Sequence, residues 1–107
     1  MLLALLLQVV AIAKAGTIVV PAGSTNAQIQ ALANKLSAVN NVLYFNAGTY
    51  TITTPVKLPC NFPNGIKVVG PDTSPATAII RGPKGSEVLS YSNCTQIEIS
   101  RIAIVPQ

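Results

Sequence analysis

Ile66-Lys67-Val68-Val69 and Ile97-Glu98-Ile99-Ser100 are short β segments that superpose residue for residue, Ile66 on Ile97, Lys67 on Glu98 and Val68 on Ile99. A strand sends alternate side chains to opposite faces, so this register puts Ile66, Val68, Ile97 and Ile99 on one face and the two opposite charges on the other. A slip of one residue would reverse every side chain. Similar segments flank the pair. Residues 42–45, 49–52, 55–58, 66–69, 78–80, 88–91, 97–100 and 102–105 each read as a strand bounded by Gly, Pro, Asn or Ser. Grouped in threes, the sets open at Val42, Ile66 and Ile97, at intervals of 24 and 31 residues, which lie within the range of repeat units. Two-residue hairpin turns are nearly absent; Asn64-Gly65 follows a proline-containing loop rather than a strand. No helix signal falls among these segments, which excludes a βαβ alternation there. A solenoid is therefore expected in preference to a sandwich or a barrel.

Upstream, Thr17-Ile18-Val19-Val20 is a β-branched run stopped by Pro21-Ala22-Gly23. The one helix signal follows. Thr25 has the composition of an N-cap, with Gln28 at capping-box spacing, and Ile29, Leu32, Ala33 and Leu36 recur on one face up to Asn40-Asn41. An apolar helix face must lie on something, and a stack of strands leaves an apolar end to cover. The helix is expected to cap that end.

Residues 1–15 read differently from the rest. A nearly unbroken apolar run ends in Ala13-Lys14-Ala15, the composition of a secretory signal with its cleavage site, and the run is too short for the roughly 20 residues of a membrane span. The remaining organisation is a strand and capping helix over residues 16–41 and β repeats over residues 42–107. With no cap after Pro106-Gln107, the chain is expected to be a segment of a longer protein. Export implies a secreted, extracellular location, or a periplasmic one in a bacterium, with no membrane attachment after cleavage. There Cys60 and Cys94 are candidates for a disulfide, and Asn93-Cys94-Thr95 matches the N-glycosylation pattern at Asn93 in a eukaryotic host. The formal net charge is +4 over the whole chain, but the cations are scattered, which argues against nucleic acid as a partner.

Val42-Leu43-Tyr44-Phe45-Asn46-Ala47-Gly48-Thr49-Tyr50-Thr51-Ile52, then Pro55-Val56-Lys57-Leu58 and Ile66-Lys67-Val68-Val69-Gly70, resemble the N-terminal portion of the pectin lyase-like superfamily. Residues 93–104 are similar to its recurring motif, and the resemblance runs from about Thr17 onward. It implies an all-β fold, a right-handed single-stranded parallel β-helix capped by a short amphipathic α-helix. It also implies an extracellular carbohydrate-active protein, a polysaccharide lyase or glycoside hydrolase, in which this segment supplies the cap and first two or three coils. The alternative within the same resemblance is a non-catalytic adhesin, tailspike or carbohydrate-binding stalk. A small β-sandwich of its own is the remaining alternative. The partners implied are polysaccharide and further coils of the same chain. Asn46 stands where the family often has proline.

The chemistry expected of an enzyme in that superfamily is not complete in this chain. Its lyases use a lysine or arginine base, often with calcium held by aspartates, and its hydrolases use clustered aspartates with a histidine. This chain has Asp72, Glu87 and Glu98 as its carboxylates and no histidine. A calcium site needs several converging oxygens and glycoside hydrolysis needs two facing carboxyl groups, so neither a cofactor nor a catalytic residue is assigned, although the longer protein could hold calcium. Lys67 and Arg101 are the candidates for contact with an acidic sugar. Against that role, Lys67 is placed to pair with Glu98 as a surface ion pair and Arg101 to sit at a solvated corner. Tyr44 and Phe45 read as buried on both sides, and core packing is expected for the aromatic residues in general.

Overall fold

The computed structural model describes residues 16–59, 62–83, 87–91, 94 and 96–106. In chain order the elements are β1 (Thr17–Val20), α1 (Asn26–Ala33), β2 (Val42–Phe45), β3 (Gly48–Thr51), β4 (Val56–Lys57), β5 (Ile66–Val69), β6 (Ala78–Gly82), β7 (Leu89–Ser90), β8 (Ile97–Ser100) and β9 (Ile102–Pro106). They form three sheets: a four-stranded one ordered β1-β2-β5-β8, a three-stranded one ordered β3-β6-β9, and the pair β4-β7. Every pairing is parallel.

The expected all-β, right-handed β-helix is corrected by this arrangement. The described residues build a small α/β-like domain with one short helix and several short parallel sheets, and β-helix coils are not evident. The helix expected to cap the strands follows β1 in the chain and places Ile29 and Ala33, both fully buried, in one core with the sheets. The smallest sheet is a single pair of two-residue strands.

The register within the large sheet is nevertheless the one legible in the sequence. Ile66 pairs with Ile97, Lys67 with Glu98, Val68 with Ile99 and Val69 with Ser100. Alternation then sorts the side chains: Leu43, Phe45, Ile66 and Val68 point into the core, leaving their sequence neighbours on the outer face. Inside, Phe45 and Tyr50 meet edge to face with ring centroids 5.1 Å apart, a favoured aromatic geometry. The buried Tyr50 hydroxyl donates to the Asn46 carbonyl at 2.5 Å, so its polar end is satisfied.

The helix starts as its sequence signals require. Thr25 Oγ1 accepts from the Gln28 backbone N–H at 3.2 Å, and the Gln28 side chain accepts from the Thr25 N–H at 2.8 Å, a reciprocal capping box. It ends earlier than the apolar spacing suggests. Lys35 and Leu36 donate to Leu32 and Ala33, tightening the chain into three-residue turns, and Leu36 reaches the core from outside the helix. Residues 1–15, with the expected signal and its cleavage site, lie outside the described residues, as do Cys60 and Asn93. Cys94 is disulfide-bonded.

Candidate functional site

The outer face of the four-stranded sheet carries a groove. Register aligns two rows of side chains across the strands. One row runs Thr17, Val42, Lys67, Glu98, and the other Val19, Tyr44, Val69, Ser100. With neighbouring strands about 4.8 Å apart, each row is a ladder on which an extended ligand could lie across the sheet. The groove encloses about 760 Å³ and is walled along one side by Asn46, Gly70, Asp72 and Arg101.

Lys67 and Arg101 both line it. Lys67 stands at the centre of the sheet on β5. Its register partner is Glu98, yet no ion pair joins them among the described residues, where the salt bridge formed is that of Arg101 with Asp72. The expected Lys67–Glu98 pairing is therefore replaced by a different one, and the Lys67 ammonium projects from the groove wall.

Arg101 is placed by the backbone. It alone links β8 to β9, and turning the chain from one sheet to the next within one residue puts it at φ 60. A non-glycine residue in the left-handed region costs about 1–2 kcal/mol, and such outliers concentrate at functional sites. The corner is closely packed. Gly70 donates its N–H to the Ser100 carbonyl at 3.2 Å, and any Cβ on Gly70 would run into the Arg101 carbonyl oxygen. The Arg101 Nε lies 3.3 Å from Asp72 Oδ1.

Tyr44, expected to pack in the core, lines the groove instead. Val42-Leu43-Tyr44-Phe45 looks apolar throughout, but only Leu43 and Phe45 are buried, while Tyr44 is half-exposed on the groove floor. Strict alternation was the signal available. Tyr91, 40% exposed, lies elsewhere, beside Glu87, Val88, Leu89, Ile99 and Ile104 in a second depression.

The carboxylates do not assemble. Asp72 is held by Arg101, Glu87 lines the second depression, and Glu98 sits in the outer row of the sheet. No group of three metal-ligating side chains gathers among the described residues. No family model, curated protein or solved structure matches this chain. The groove therefore has to be read on its own chemistry: two cations, one of them paired with the Asp72 carboxylate, an aromatic face, and main-chain and amide groups along the rim.

Proposed function

We propose that this domain binds an acidic polysaccharide along the outer groove of its four-stranded sheet, as a binding and structural segment of an exported protein rather than as its catalyst. The observation that carries this reading is the convergence of Lys67, Arg101 and Tyr44, from three different parts of the chain, on one groove. A sugar ring presents C–H groups that pack on an aromatic face, and a uronate carboxylate seeks cationic donors. Of what the family resemblance implies, an acidic saccharide is the part that this groove suits.

Exposed charge contacts contribute only about 0.2–1 kcal/mol each, so binding depends on several contacts made together. Affinity should also fall with salt, because the Debye length shrinks to about 8 Å at physiological ionic strength. No bond-breaking step is assigned, since the described carboxylates do not face one another across the groove.

Calorimetric titration of the chain with a polyuronate oligosaccharide, and with its neutral methyl ester, tests the reading. Salt-sensitive binding of the acid form, weakened in Lys67→Ala and Tyr44→Ala, is expected. Equal binding of the ester, or variants indistinguishable from the native chain, would discard it.

A further inference from the structure

Arg101 and Asp72 meet at the groove rim from two adjoining turns of the chain. The Gly70 N–H to Ser100 carbonyl bond ties the loop after β5 to the end of β8. The face of Gly70 lies against the Arg101 carbonyl, where no side chain would fit, and the loop carrying Asp72 is itself turned by a Thr73 N–H donating to the Pro71 carbonyl at 2.8 Å. The carboxylate approaches the guanidinium most closely at Nε, on its side. A guanidinium has five N–H donors in a rigid fork, and engagement at Nε leaves the outer edge, with its two Nη groups, for something else.

We infer that Asp72 is a positioning residue of this groove: it holds Arg101 by Nε and presents the Nη edge to a planar two-oxygen anion, a uronate carboxylate, for bidentate binding. This rests on the acidic-saccharide reading above and adds to it the residue that organises the cation. The pair itself is solvent-exposed, with side-chain accessibilities of 54% for Arg101 and 85% for Asp72. Exposed pairs add little to stability, so stability alone does not account for a pair built on a left-handed arginine. Planar forks are the arrangement that matches carboxylates, and lysine does not reproduce it.

The test is a set of titrations of the full chain with one polyuronate oligosaccharide, each variant checked by its thermal unfolding midpoint. Asp72→Asn and Asp72→Ala are expected to weaken binding about three- to tenfold while leaving the midpoint within a degree or two. Arg101→Lys should weaken binding similarly, and adding Asp72→Asn to it should cause no further loss. Binding by Asp72→Asn as tight as the native chain's, or tighter, overturns the inference, and a tighter complex would mean that Asp72 competes with the ligand. Lys67→Ala separates the two levels of the argument. If it weakens binding while Asp72→Asn does not, the groove reading survives and the role of Asp72 falls; if neither variant changes binding, both fall.

Discussion

The Gln30 carboxamide pairs with both backbone groups of Lys57, accepting from its N–H at 2.8 Å and donating to its carbonyl at 3.0 Å. A side chain of α1 thus takes the place of a neighbouring strand on the open edge of β4. One turn earlier, Asn26 Oδ1 accepts from the N–H groups of Thr53 and Thr54, both at 2.8 Å. Unpaired strand edges recruit other chains, and here the helix covers one with amide groups as well as apolar contact. Gln30→Ala should lose about 1–3 kcal/mol, at about 0.5–1.5 kcal/mol per net hydrogen bond. Gln30→Glu, which keeps the acceptor but not the donor, should fall between. Urea unfolding measures both, and a midpoint for Gln30→Ala equal to the native one would show that the edge needs no such partner.

Two glycines separate backbone strain from collision. Gly23 has φ 80 with nothing within 4 Å of where a Cβ would stand, whereas Gly65 has φ 69 with the Gln96 carbonyl oxygen 2.5 Å from that point. Gly23→Ala should therefore cost only the dihedral penalty, about 1 kcal/mol. Gly65→Ala should cost clearly more, because Ile66 donates to that same Gln96 carbonyl at 3.2 Å and the strand junction would have to move. Comparing the two unfolding free energies decides the matter. Equal losses would mean that the junction gives way freely.

The chain's two-residue periodicity makes the pairing of Ile66–Val69 with Ile97–Ser100 legible, because a slip of one residue would send every side chain to the opposite face, and of the registers left this one also sets Lys67 opposite Glu98. The same rule applied to Val42–Phe45 turns Tyr44 outward, but an unbroken apolar run equally suits a strand buried on both faces, so hydropathy alone does not place Tyr44. Periodicity likewise located the apolar face of α1 without saying what it touches. The pairing of Gln30 with β4 leaves no trace in hydropathy. Arg101 is legible as an outward cation, but its pairing with Asp72 depends on a tight corner that no local pattern marks.

Tyr50 gives the fold a dependence on alkaline pH. Burial raises its pKa above the ordinary 10.0, since the charged phenolate is poorly solvated in the core. The folded state therefore holds the phenolic proton more tightly than the unfolded chain. The contribution is fully present below pH 10 and is lost as pH rises through the higher folded-state value. Tyr50→Phe removes the titrating group together with the bond to the Asn46 carbonyl, and should cost about 1–2 kcal/mol at neutral pH. Above pH 10 its stability should decline less steeply than that of the native chain, while the lysines titrate alike in both. Unfolding free energies measured between about pH 8 and 11 should accordingly converge as pH rises, and parallel curves would remove Tyr50 as the cause.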